Sequence, residues 1–325
     1  MALRDALGDR MKEFYENRSK TKLTRRMPVI IRLDGKAFHT FTRGFKKPFD
    51  EIMIKTMQQT MQYLCENIQG CVLGYTQSDE ITLVLIDYKK LTSDAWFDYD
   101  IQKIVSISAA MATLAFNKYF TENATKFIDN FDEAWNKNPA DKKLVDSYYK
   151  AFEHGALFDS RAFNIPKEEV ANCLIWRQLD AERNSVNSVA QSLFSHKELQ
   201  GLNLKDTMTK IEQEKGIVWG NLPTVQKRGS CCVKEYWYTL DDGQQVKNKS
   251  HITYGKYTGE FYWDGDGYYF FPTGLADNSN CIFSCNQGQK LEVKESSKWI
   301  LDTNIPRFVD DREYVEKLIC PSDEE

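Results

Sequence analysis

Hydrophobic and polar residues alternate with two different periods along the first two thirds of this chain. Residues 28 to 34, PVIIRLD, form a β-branched run entered through proline. Residues 71 to 86, CVLGYTQSDEITLVLI, read as two strands around a polar turn. Between these runs, Phe49, Ile52, Met53, Met57, Thr60 and Leu64 recur at helical spacing, which gives a strand, a helix and a hairpin in order. A second stripe of small and apolar residues, Ile101, Ile104, Val105, Ser108, Met111, Ala112, Ala115 and Tyr119, predicts another helix. Residues 121 to 150 are charged and poorly patterned, and read as a connector or a solvent-facing helix. ALFDSRAFNI, residues 156 to 165, alternates like a strand, and Pro166-Lys167-Glu168-Glu169 opens a long helix to about residue 198. From about residue 225 the chain turns to short aromatic strands broken by Gly and Asp, as in YTGEFYWDGDGYYFFPTG.

The order β-α-β-β-α-β-α resembles a ferredoxin-like palm. The predicted class is therefore α+β: a ferredoxin-like polymerase palm with a helical insertion over residues 1–224, and a small antiparallel β C-terminal appendage over residues 225–325. A length of 325 residues suits one catalytic domain with a smaller partner. Apolar residues make up 42% and charged ones 28%, a globular composition. No apolar run approaches the length of a membrane span, and MALRDALGDRMKEFYE is charged and amphipathic rather than a signal peptide, so a cytoplasmic protein with no membrane partner is expected. Eight cysteines without a regular framework predict reduced thiols. A formal charge of −4 argues against indiscriminate binding to polyanions but leaves local RNA-binding clusters open.

The candidate chemistry lies in two acidic turns. Asp34-Gly35 ends the first apolar strand, and Ser78-Asp79-Glu80 forms the hairpin turn. Asp-Gly after a strand, taken alone, reads as a turn. Paired with Asp79 it gains a second meaning, because magnesium prefers one or two carboxylates completed by phosphate oxygens and water. The Gly35 carbonyl adds a ligand with nothing on its Cα to block approach. Glu80 is adjacent, and alternation from Asp79 turns it to the other face, as support. The segment after Gly35 carries Lys36, His39, Arg43, Lys46 and Lys47, cations of the kind a triphosphate needs. The same residues equally suit a solvated loop, His39 a packed position, and Asp50 a helix cap. Arg177 and Asp180 fit an ordinary surface pair, and Lys227-Arg228-Gly229-Ser230 fits either a phosphate grip or a turn. Asp264-Gly-Asp266-Gly lacks the closing acid of a calcium loop. Cys281 and Cys285 lack a clean second pair for zinc.

IRLDGKAFH, KKPFDE, GYTQSDE, FDSRAF, WRQLDAERNS and KRGS follow one another in the order and spacing of the tRNA-histidine guanylyltransferase family. The chain resembles most closely its guanylyltransferase-like branch, over about residues 5 to 235. The resemblance implies transfer of nucleotides to the 5′ end of tRNA in the 3′ to 5′ direction. Catalysis would rest on Asp34, Asp79 and Glu80, with two magnesium ions held by Asp34, the Gly35 carbonyl and Asp79. GTP or another nucleoside triphosphate, with ATP, would contact Asp34, Gly35, Lys36, Ala37, Phe38, His39, Ser78 and Asp79. Lys47 and Asp50 match family positions associated with the triphosphate. Arg177, Gln178, Asn184 and Lys227 match positions near tRNA, and the family's members form tetramers.

Two departures accompany the match. Glu182-Arg183-Asn184-Ser185 stands where guanylyltransferases proper carry His-Ile-Asn-Asn, which suits a templated repair polymerase for 5′-truncated tRNAs. The basic residues that follow the family's Trp-aromatic pair are replaced by Asp98-Tyr99-Asp100, which leaves Lys103 for phosphate on that side. Two other classes compete with this reading: a palm-type nucleotide cyclase using the same carboxylate pair, and a non-catalytic RNA-binding module whose acidic turns are only turns.

Overall fold

A computed structural model describes residues 6–129, 139–240, 243–247, 252–254, 257–263, 268–275 and 289–320. The chain divides into two compact units. The first comprises Met1–Cys232 and takes back Leu301–Cys320, and the second is built on Val233–Ile300. The first unit therefore runs past residue 224 and recovers a late segment that the expected boundary assigned to the appendage.

The first unit opens with α1 (Ala6–Phe14) and then β1 (Val29–Gly35). A single helical turn follows, α2 (Phe38–Phe41), and then α3 (Glu51–Asn67). The hairpin β2 (Cys71–Gln77) and β3 (Glu80–Leu85) leads into α4 (Ile101–Asp129), α5 (Pro139–His154) and β4 (Phe158–Asn164). The long α6 (Lys167–Leu193) is followed by α7 (His196–Leu199), α8 (Leu204–Lys215) and α9 (Thr224–Arg228). α6 ends short of residue 198 because Ser195 and Glu198 form a capping box that starts α7 separately. The stretch expected as a connector or a solvent-facing helix is helical in its described parts, but it is not wholly solvent-facing: α4 runs on to Asp129, and α5 buries Ser147, Tyr148 and Ala151.

The strands lie in the order β2-β3-β1-β4, with antiparallel neighbours throughout. The first residues of β5 (Ser230–Thr239) run beside β2. Alternation along β1 divides its side chains between two faces. Ile31, Leu33 and Gly35 meet the layer of α3 and α4, where Phe38, Phe41, Phe116, Phe120 and Phe158 pack ring against ring. Arg32 and Asp34 point to the opposite face, toward α6. On that face Tyr75 meets Phe308, ahead of α10 (Glu313–Ile319). This is the mixed helix and antiparallel sheet expected from the two periods.

The second unit carries the continuation of β5 with β6 (Gln245–Val246). Its four-stranded sheet consists of β7 (Ile252–Tyr254), β8 (Tyr257–Trp263), β9 (Tyr268–Leu275) and β10 (Gln289–Leu291), all antiparallel. β11 (Lys294–Asp302) closes the run. Tyr238, Leu240 and Phe270 form a buried cluster here. Asp264, Asp266, Cys281 and Cys285 lie outside the described residues. Cys65, Cys71, Cys173, Cys231, Cys232 and Cys320 are free thiols. Among the described residues no helix is long and apolar enough to cross a membrane.

Candidate active site

Strand register brings the two acidic turns together. Asp34 stands opposite Glu80 on β3 and opposite Asp159 on β4. The Gly35 N–H donates to the Asp79 carbonyl at 3.1 Å, which ties the end of β1 to the β2–β3 turn. Ser78 takes a left-handed φ of 50° in that turn, and its hydroxyl donates to Asp79 Oδ1 at 3.0 Å. Gly35 is required for a packing reason that the sequence does not display. A Cβ there would lie 2.3 Å from the Phe38 ring, so the ring closes over the strand end only because the side chain is absent.

Burial and crowding disfavour the charged form of both aspartates. Asp34 is held above the usual carboxylate range by burial first, then by Glu80 and Asp159, with Arg161 and Arg32 opposing. Asp79 is likewise raised, chiefly by burial, with Asp34 and Glu80 adding and the Ser78 hydroxyl opposing. Glu80 differs because it pairs with the Arg177 guanidinium and, at 3.5 Å, with Arg32. The expectation that alternation turns Glu80 away is corrected by the register. Asp79 lies in the turn, where alternation stops, and β3 restarts with Glu80 directly across from Asp34.

Asp34, Asp79 and the Gly35 carbonyl make a hard oxygen set that fits a small divalent cation, whose charge would relieve the repulsion between the two aspartates. Among the described residues no cluster of three or more His, Cys, Asp or Glu side chains could hold a metal unaided. Further ligands would therefore be carbonyl, water or phosphate oxygens, as magnesium commonly takes.

Beside this set opens a cavity of about 380 Å3, within the size range of small-molecule sites. The loop after β1, the Ser78-Asp79 turn, α6 and α9 enclose it. Of the sequence candidates, Phe38, His39, Lys47, Asp50, Ser78, Asp79, Asn184 and Lys227 line it. Lys46 adds a cation, while Phe49 and Met53, members of the predicted helix stripe, add an apolar wall together with Ile54, which lies outside that stripe. Lys227 donates to the Gly220 carbonyl and is held below the ordinary lysine range by burial first and by Arg228 second. At Gly229, which ends α9 with a φ of 82°, a Cβ would lie 2.2 Å from the Thr76 carbonyl oxygen, so glycine lets KRGS press against β2. Lys36 and Ala37 are exposed between the strand end and α2, outside the cavity lining.

Other candidates sit elsewhere. Arg177 is 4% exposed and committed to Glu80 and Asp180. Gln178 is 3% exposed; its Nε2 donates to the Pro306 carbonyl at 3.0 Å and its Oε1 accepts from the Phe308 N–H at 2.8 Å. Both are interior groups whose polar atoms bond within the protein. Glu182, at the substituted motif position, is held by Arg307 at 3.2 Å and Arg228 at 3.7 Å. Asn184 is exposed, 3.3 Å from Asp180. Lys103 lies at the far end of the sheet from Asp34. Its helix begins where Asp100 pairs with Lys22, near the Thr24 contact with Asn164, and Asn164 faces Val29. Arg32 went unnoticed in the sequence although its place two residues before Asp34 was the available signal, since that spacing puts both on one face.

The family model described as Thg1, tRNAHis guanylyltransferase, matches residues 8–166. An uncharacterised protein of Acanthamoeba polyphaga mimivirus is 32% identical over 250 residues, which covers 72% of this chain and 78% of that one. The tRNA(His) guanylyltransferase of Debaryomyces hansenii is 25% identical over 234 residues, covering 68% and 78% respectively. Among solved structures, a bacterial tRNA(His) guanylyltransferase (Thg1)-like protein in complex with ATP is 36% identical, with a TM-score of 0.66 over 98% of this chain and 100% of that chain. A second such structure, in complex with GTP, is 35% identical with a TM-score of 0.61, over 97% and 99% of the two chains. The likeness therefore extends through the aromatic C-terminal region, beyond the limit near residue 235 that the motifs alone suggested.

Proposed function

We propose, for a chain that belongs to the tRNAHis guanylyltransferase family, that it is a magnesium-dependent nucleotidyltransferase extending the 5′ end of tRNA in the 3′ to 5′ direction. The observation that carries this reading is the union of Asp34 and Asp79 at one sheet end, beside a cavity lined by His39, Lys46, Lys47 and Lys227. The strand order β2-β3-β1-β4 supports the ferredoxin-like palm as the scaffold. Two magnesium ions, when bound, supply acidity to the attacking 3′-hydroxyl and neutralise triphosphate charge.

The protein's own residues do the rest. Asp34, Asp79 and the Gly35 carbonyl would hold the ions, and the cationic lining would fix the triphosphate of GTP or another nucleotide. Arg177 and Arg32 pair with Glu80 and so offset part of the charge that it adds beside the two aspartates. The nucleotide's 3′-oxygen then bonds to the activated 5′ phosphorus of the RNA, and pyrophosphate or AMP leaves. The exposed Asn184 and the half-buried Lys227 are the candidates that remain for contact with tRNA.

Within the family, repair of 5′-truncated tRNA fits better than dedicated guanylylation of tRNA-histidine. Glu182 is consumed by Arg307 and Arg228 and offers nothing to a specific RNA end. A cytoplasmic homo-tetramer completes the proposal. The test is incorporation of labelled nucleotides into tRNAs lacking 5′ residues, with the opposing base varied and an RNA-free control. Base-dependent addition supports the reading. A cyclic product without RNA would replace it with a cyclase, and no chemistry on any nucleotide would leave an RNA-binding module.

A further inference from the structure

The loop that brings Lys46 and Lys47 to the cavity has a backing that no motif announces. Asp50, which starts α3, is 7% exposed, and both of its carboxylate oxygens are engaged. Oδ1 accepts from the Met53 N–H at 3.0 Å, which caps the helix. Oδ2 accepts from the Lys46 N–H at 3.0 Å and from the Tyr148 hydroxyl at 2.8 Å. Tyr148 belongs to α5 and is 2% exposed. Desolvation pushes its hydroxyl far above the ordinary range, and the Asp50 charge adds to this, so the group stays a proton donor to the carboxylate.

Two further contacts bind the same loop to the same helix. The Phe45 ring lies edge-on to Tyr148 with centroids 5.0 Å apart. At Gly44, where φ is 92°, a Cβ would lie 2.9 Å from Ser147 Cβ, so the backbone rests directly on α5. Hydrogen bonds to a charged, desolvated group are the strong ones, and a loop held at three points keeps its cations where a phosphate can meet them.

We propose that Tyr148 is a positioning residue for nucleotide binding. Through Asp50 it fixes the Lys46-Lys47 loop against the cavity, and it touches no substrate itself. The inference rests on the reading that a nucleoside triphosphate occupies this cavity. It also changes the meaning of Asp50, from a triphosphate contact to the internal anchor of the residues that make the contact.

The experiment measures GTP affinity with magnesium, and KM and kcat for nucleotide addition, on the full chain and its Tyr148→Phe, Lys47→Ala and doubly substituted forms. Tyr148→Phe removes only the hydroxyl and keeps the packed ring, and Tyr149→Phe, 51% exposed on the same helix, is the control. Tyr148→Phe is expected to weaken GTP binding and raise its KM by about fivefold or more, leaving kcat and the KM for RNA nearly unchanged. In the Lys47→Ala background the same change should cost much less, because the tyrosine acts through the loop. Unaltered GTP affinity in Tyr148→Phe, while Lys47→Ala weakens it, overturns the inference and leaves the cavity reading intact. An equal loss in both backgrounds also overturns it, since the tyrosine would then serve only the fold. Full GTP affinity in Lys47→Ala sinks the cavity reading and the inference together.

Discussion

Replacing Gln178 by alanine separates an interior brace from an RNA contact. The amide spans two backbone groups of the returning C-terminal segment, donating to Pro306 at 3.0 Å and accepting from Phe308 at 2.8 Å. Phe308 is fully buried and Gln178 nearly so, which leaves little room for water to take over either bond. Each buried group left without a partner costs about 1–3 kcal/mol, so Gln178→Ala should destabilise the protein by roughly 2–4 kcal/mol after partial relaxation. For a unit of this size that lowers the thermal midpoint by about 10 °C. Equilibrium urea unfolding and tRNA affinity, both measured well below the midpoint, give the two readouts. A large drop in stability with tRNA affinity retained is the expected result. Unchanged stability with affinity lost would refute the interior assignment and restore Gln178 as an RNA contact.

Two further outcomes test the acidic turns. Magnesium added without nucleotide should raise the melting temperature of the parent protein but not of Asp34→Asn or Asp79→Asn, and both variants should melt as single folded species while losing nucleotide addition. A magnesium-induced rise that persists in either variant would remove that aspartate from the metal set. Gly35→Ala forces a Cβ to within 2.3 Å of the Phe38 ring, which should cost about 1–3 kcal/mol and displace the loop beyond it. Melting curves and turnover together check this, and a stable, fully active Gly35→Ala would show that the strand end tolerates a side chain.

Much of the mixed helix and antiparallel sheet fold was legible because each element carries its own period. β1 and the hairpin show β-branched runs, while α3 and α4 show stripes that recur every three or four residues. The convergence of Asp34 and Asp79 was also legible, as a strand end next to a hairpin turn. The buried face of α5 was less plain, because Ser147, Tyr148 and Ala151 are set among Lys142, Lys143, Asp146, Lys150 and Glu153, and such a charged stretch reads equally as a connector or a solvent-facing helix. The interior places of Arg177 and Gln178 were hidden for a related reason. Polar residues are read as surface until their partners are known, and Glu80, Pro306 and Phe308 are distant in sequence.

The amino-acid sequence by itself determined the strand and helix order, the two acidic turns and the family resemblance, since all three depend on residues near one another along the chain. Only the tertiary structure decided which charges are spent internally. Strand register placed Glu80 opposite Asp34, and α6 supplied the Arg177 guanidinium that pairs with it. Folding likewise set Tyr148 against Asp50, behind the loop of lysines. The physical reason is that hydrogen bonds and ion pairs are short-ranged. Which groups they join depends on where packing brings the chain back on itself, and local pattern does not record that.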